Sequence, residues 1–147
     1  MITLSGSRRW VAGLVLGFAV LSVVVGCGSN QVSPNTSASR SATTRHGQFV
    51  VSYRPNGGQV RVGPPQSWTM HVETPSGVPV EHATIKVTGG MPDMGHALPT
   101  APLVKPLGGG DYRVEGLQFS MPGSWAVEVH VKANGLSDRA VFDLYLQ

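Results

Sequence analysis

The chain has 147 residues, of which 11 are Lys or Arg, 8 are Asp or Glu and only one is Cys. A single cysteine excludes a disulfide within the chain. Removing Arg8 and Arg9 of the N-terminal segment leaves nine basic residues against eight acidic ones, with no basic cluster. We therefore expect no binding to nucleic acid.

The first predicted element is a targeting segment over residues 1–26. Arg8 and Arg9 precede an uncharged apolar run from Trp10 to Val25, and Cys27 follows shortly after. Such a run is typical of a cleaved export signal, and a membrane-spanning helix is the alternative because the run is close to the lower length limit of a span. The segment resembles a bacterial lipoprotein signal. That resemblance implies that Cys27 is lipidated and anchors the exported protein to the cell envelope, on the periplasmic or the outer face of a membrane.

A flexible linker is predicted for residues 27–45, since this stretch is rich in Ser, Thr, Asn and Gln and has almost nothing to bury. The remaining residues, 46–147, are enough for one domain with its own core.

The domain is predicted to be all-β, because Gly and Pro separate short runs of β-branched and aromatic residues. Short strands with a turn every ten or so residues favour an immunoglobulin-like antiparallel β-sandwich of about seven strands. The predicted strands are 48–54, 67–74, 81–89, 103–107, 112–119, 124–132 and 136–146.

Alternation within the strands predicts which side chains face the core. The inward phase changes between Val114 and Leu117, which predicts a β-bulge at Glu115–Gly116. Residues 108–111 and 133–135 are predicted to form hairpin loops. The predicted inward side chains are Trp68, Met70, Val72, Ala83, Ile85, Val87, Tyr112, Val114, Leu117, Phe119, Met121, Trp125, Val127, Val129, Val131, Ala140, Phe142, Leu144 and Leu146.

The segment 91–100 places Met91, Met94 and His96 in a loop rich in Pro and Gly. Thioether and imidazole ligands together suit copper, and Cu(I) above all. Met94 and His96 are two residues apart, so they share a side if the loop is extended. Each has a structural alternative: Met91 is also placed to fill the core, and His96 to hydrogen-bond the backbone.

Met121 lies at a strand end before a turn, and loops of a sandwich cluster at its two ends. It is therefore a candidate further ligand beside Met94 and His96, with core packing as the alternative. The other histidines are predicted to be solvent-exposed: His46, His71, His82 and His130. No nucleophile elbow, HExxH motif or paired carboxylates are present, so we expect no enzymatic activity.

The series MPDMGHALPT, followed by GGGDYRVEGLQFSMPGSW and DRAVFDL, resembles the FixH/YtkA-like family. The resemblance covers about residues 89–146 and extends more weakly back to Phe49. It implies a small β-sandwich at the bacterial envelope, some of whose relatives are associated with copper supply to haem–copper oxidases. FixH proteins carry a transmembrane anchor where this chain has a lipoprotein-like signal, and many relatives have histidine where this chain has Met94.

Two functions are consistent with these features. In the first, a lipid-anchored protein binds copper through Met94 and His96, with Met91 and Met121 as further ligands, and buffers it or delivers it to an envelope protein or oxidase. In the second, the loop is structural and the domain is a metal-free interaction module of the envelope.

Overall fold

The computed structural model describes residues 40–147. The predicted signal segment, the lipidation site Cys27 and linker residues 27–39 lie outside the described residues. Within the described part of the chain, no helix is long and apolar enough to cross a membrane.

Two antiparallel sheets make up the domain, as the alternating pattern predicts. One sheet has the order β1-β2-β3-β7-β6, and the other has the order β5-β4-β8-β9. A 3₁₀ turn at Pro92–Met94 separates β4 from β5. The strands are β1 (Arg40–Thr43), β2 (Val50–Pro55), β3 (Gln66–Glu73), β4 (Thr84–Met91), β5 (His96–Ala97), β6 (Leu103–Gly108), β7 (Asp111–Leu117), β8 (Gly123–Ala133) and β9 (Leu136–Leu146).

The seven predicted strands are confirmed, with ends displaced by up to three residues, and two short strands, β1 and β5, are added. The predicted bulge is also confirmed: Trp68 pairs with Val114 and Gln66 with Leu117, so β7 has one residue more than β3 across this interval. Gly116 has a φ of 82°, a backbone conformation that favours glycine.

The core lies between the sheets and is formed mainly by the alternating residues of β2, β3, β7, β8 and β9, with Val87 and Met91 from β4. Most predicted inward residues are buried, whereas Ala83, Ile85 and Met121 are only partly buried and pack against the core. At its centre the Tyr53 and Trp68 rings are stacked with centroids 4.2 Å apart. Such aromatic pairs add stabilisation beyond the area they bury.

The predicted start of the domain at residue 46 is wrong. Strand β1 begins at Arg40 and pairs with β2. The buried Thr44 hydroxyl accepts a hydrogen bond from the Phe49 amide at 2.9 Å, and the Arg45 amide donates to the Arg139 carbonyl at 2.8 Å. Polar residues with little to bury are thus ordered here by backbone and hydroxyl hydrogen bonds, which hydropathy does not reveal.

Candidate functional site

The segment that follows β4 folds back on it as a tight hairpin. Pro92 begins the 3₁₀ turn, where its fixed φ and missing N–H are tolerated. Gly95 ends the turn in the left-handed conformation, with a φ of 66°. The chain then returns as β5, which pairs with the end of β4 through Met91 and His96.

Met94 and His96 are both exposed, Met94 to 54%. The expectation that they share a side depended on an extended loop, and the loop is not extended: Met94 closes the 3₁₀ turn, and the left-handed Gly95 separates it from His96. Pairing between strands instead makes His96 the cross-strand neighbour of Met91, and directly opposed residues have Cβ atoms about 4.5–5.5 Å apart.

Met91 is a core residue, only 4% exposed. A Cβ built on Gly123 would lie 2.6 Å from the Met91 methyl carbon, so this side chain lies directly against the first residue of β8. The structure therefore gives Met91 the packing role that the sequence left open beside the ligand role.

Met121 lies two residues before β8 and is partly buried against the core. Its carbonyl accepts a hydrogen bond from the Trp125 indole nitrogen at 3.0 Å. The 3₁₀ turn contacts β8, and Met91 touches Gly123, so the Met91–Ala97 hairpin and the Met121 turn lie at the same end of the sandwich.

Four of the five histidines have an intramolecular partner that sequence reasoning missed. His46 binds Asp138 at 3.0 Å, and His71 binds Asp111 at 2.7 Å. His130 and His82 lie 3.4 and 4.0 Å from Glu128 and Glu81. The contacts of His71 with Glu73 and of His130 with Glu128 could have been predicted, because residues two apart on a strand share a face. The contacts between residues far apart in the sequence have no such local signal.

The imidazole of His96 has no hydrogen-bond or ion-pair partner among residues 40–147. In the same part of the chain no three His, Cys, Asp or Glu side chains are grouped so as to hold a metal ion. A metal site at this end would consequently depend on thioethers together with His96.

A groove of about 410 Å³ lies where β5, β4 and β8 meet. Cβ atoms on Gly89 and Gly90 would fall on the carbonyl oxygens of Ala126 and His96, so these glycines permit the close approach of the three strands. The lining includes His96, Ala97, Ala126 and Glu128.

These observations define a small two-sheet β-sandwich with a Met- and His-bearing hairpin at one end. The sequence model of the YtkA-like family matches residues 43–130, which is more than half of the chain. The protein belongs to the YtkA-like family. The FixH side of the resemblance stays a prediction.

Among solved structures, a DUF4426 family protein from Pseudomonas aeruginosa PAO1 is similar, with a TM-score of 0.52 and 18% identity over 73% of this chain and 93% of that one. At that identity the likeness concerns the fold alone. The C-terminal domain of ZirS matches with a TM-score of 0.38 and 15% identity over 99% of this chain and 87% of that one, a score too low to support any argument. No curated protein matches this chain.

Proposed function

We propose that this domain binds copper, as Cu(I), through the Met94 thioether and the His96 imidazole. The observation that carries the proposal is the free imidazole of His96, two residues from an exposed methionine, in a chain whose other histidines all have acidic partners within the described residues. As far as residues 40–147 are concerned, both ring nitrogens of His96 are thus open to an outside ligand.

The chemistry of the available donors suits a soft ion. Thioether sulfur and imidazole nitrogen select Cu(I) over the oxygen-seeking cations. Met121, on the neighbouring turn, is the third ligand of the proposal, and Met91 supports the hairpin from the core. A ligand set of this size leaves a position open, which suits transfer of copper as cargo to an envelope acceptor such as an oxidase.

The expected lipid anchor at Cys27 fits this role, because it would hold the domain near a membrane-bound acceptor. We propose no catalytic activity and no role for nucleic acid. A lipid-anchored carrier of this kind would act in the envelope, on the periplasmic or outer side of a membrane.

A metal-free interaction module is the second candidate function. The observation that favours it is that two of the four predicted ligands, Met91 and Met121, already pack against the core. On this interpretation, the hairpin is a structural cap, and His96 is simply solvated.

Competition for Cu(I) against a chromophoric chelator separates the two functions. The chain from Gly28 onward is suitable, because it lacks Cys27 and so contains no thiol that would bind Cu(I). We expect one-to-one binding that Met94→Leu/His96→Ala abolishes and Met121→Leu weakens.

The matched control is His82→Ala, which removes a histidine whose side chain is exposed and which lies outside the hairpin. It should bind Cu(I) as the parent does. No binding by the parent chain, or equal binding by the double variant, would refute the copper proposal and leave the interaction module.

A further inference from the structure

A second groove, of about 390 Å³, lies on the other side of the 3₁₀ turn, where the turn meets β8 and the end of β9. Pro92 and Tyr145 are the exposed apolar residues of its lining, which also includes Ser124 and the core residues Trp125 and Leu144. A volume of this size is within the range of about 300–1,000 Å³ found for small-ligand pockets.

Two carboxylates, Asp93 and Asp143, line the same groove. Neither has an ion-pair partner within 4.0 Å among residues 40–147, although Arg40 donates a hydrogen bond to the main-chain oxygen of Asp143 at 3.4 Å. Each of the six other Asp and Glu side chains lies within 4.0 Å of a basic or histidine side chain: Glu115 of Lys105, Glu128 of Arg139, Glu73 and Asp111 of His71, Glu81 of His82, and Asp138 of His46.

An aromatic ring completes the groove. Tyr145 is 72% exposed, the largest exposed fraction among the big apolar side chains of the described residues. It lies on β9, one of the two edge strands of its sheet, two residues from Asp143 and therefore on the same face. The face of a tyrosine ring attracts cations, and a planar guanidinium stacks on it.

We propose that this groove is a docking site for an arginine side chain of a partner protein. Charge complementarity supports this occupant, because the groove is lined by the two Asp side chains that no Lys, Arg or His side chain of residues 40–147 approaches within 4.0 Å, and no basic residue lines it. A guanidinium can interact with both features of the groove, by hydrogen-bonding the carboxylates and by stacking on the Tyr145 ring. A divalent cation fits less well, since no third ligand of His, Cys, Asp or Glu type completes a metal-binding group in residues 40–147.

The docking site adjoins the proposed copper ligands, because Asp93 and Met94 are successive residues of the 3₁₀ turn. A partner held by its arginine would therefore lie beside Met94. The docking proposal does not depend on copper binding, and metal-free protein tests it.

The experiment is an amide NMR titration of the metal-free chain from Gly28 onward, which contains every described strand and the whole core. The probe is a short glycine peptide carrying two arginines, and the matched probe carries citrulline in their place. We expect saturable shifts at the amides of Asp93, Asp143 and Tyr145 with the arginine peptide only.

Variants then identify the groups responsible. Asp93→Asn/Asp143→Asn should weaken peptide binding by about tenfold, as two exposed ion pairs are lost, and Tyr145→Ala should weaken it further. The charge-matched control Glu73→Gln/Glu81→Gln removes two carboxylates outside the groove and should bind like the parent.

Three outcomes would overturn the proposal. The first is shifts spread over all acidic positions, which would mean unspecific attraction. The second is equal binding of the citrulline peptide. The third is a saturable chemical-shift change at the same amides with Ca²⁺ but not with the arginine peptide, which would make the groove a metal-cation site.

Discussion

Asp138 on β9 is the buried ionised group that connects the N-terminal edge of the sandwich to the second sheet. Its side chain is only 1% exposed. It accepts hydrogen bonds from the main-chain amides of His46 at 2.9 Å and Arg139 at 2.8 Å, and it contacts the His46 ring at 3.0 Å. Burial alone would raise the pKa of Asp138, but hydrogen bonds from Thr44, Arg139 and His46 outweigh it and hold this pKa well below its usual range.

Replacing Asp138 with Asn tests how much these bonds stabilise the domain. The amide keeps the shape of the carboxylate but loses its charge, and it turns an N–H group toward donors. Hydrogen bonds to charged groups contribute about 1.5–3 kcal/mol, so we expect Asp138→Asn to lower the free energy of unfolding at pH 7 by about 2–3 kcal/mol. For a domain of this size, Tm should fall by about 10–20 °C.

The loss should depend on pH in a defined direction. Because the folded-state pKa of Asp138 is lowered, its contribution is complete above the unfolded pKa of about 3.9 and disappears as the pH falls toward the folded value. Urea unfolding at pH 7, 5 and 3, followed by tryptophan fluorescence, should show the parent and Asp138→Asn converging at acid pH. The control Asp143→Asn alters an exposed carboxylate and should stay within about 0.5 kcal/mol of the parent. A difference below that limit for Asp138→Asn at pH 7, or one that does not change with pH, would refute the reasoning.

Two further substitutions test the packing. The Tyr53 hydroxyl is buried with no partner in the described residues, and burial raises its pKa to about 12. Tyr53→Phe should therefore leave the free energy of unfolding unchanged or raise this free energy by up to about 1 kcal/mol. A clear loss of stability in a urea titration would mean that the hydroxyl has a partner. Gly90→Ala should lower the free energy of unfolding by about 1–3 kcal/mol, because the new Cβ would fall on the His96 carbonyl and separate β5 from β4. Hydrogen exchange should then become faster at the Leu98 amide, which donates to the Gly89 carbonyl. Gly57→Ala is the control, since nothing lies within 4 Å of its Cβ position; equal exchange in both variants would contradict the steric argument.

The strands were predictable because their signal is local. Side chains of a pleated strand alternate between two faces, so the apolar residues Trp68, Met70 and Val72 mark the buried face of β3 from sequence alone. The bulge at Gly116 was predictable for the same reason, since an extra residue reverses the alternation. The short strands β1 and β5 escaped prediction because two to four residues are too few to show a period.

The sequence predicted which segment carries the candidate site, but not the geometry of its side chains. Sequence placed Met94 and His96 in one loop, but the 3₁₀ turn between β4 and β5 removed the extended geometry that would have aligned them. Whether Met91 packs or binds metal was left open by its position in the chain, and its contact with Gly123 in space gives it a packing role. Copper binding itself stays a prediction until Cu(I) is titrated.

Alternation along the chain thus determined that this protein is an all-β sandwich, because the pleat of a strand is a property of successive residues. The tertiary structure alone decided which polar groups far apart in the sequence meet. It brought Asp138 to His46, and it placed Asp93 and Asp143 around one groove although 50 positions separate them in the sequence. Such meetings depend on which strands pair across the two sheets, and that choice is made by long-range packing of the core rather than by any local pattern.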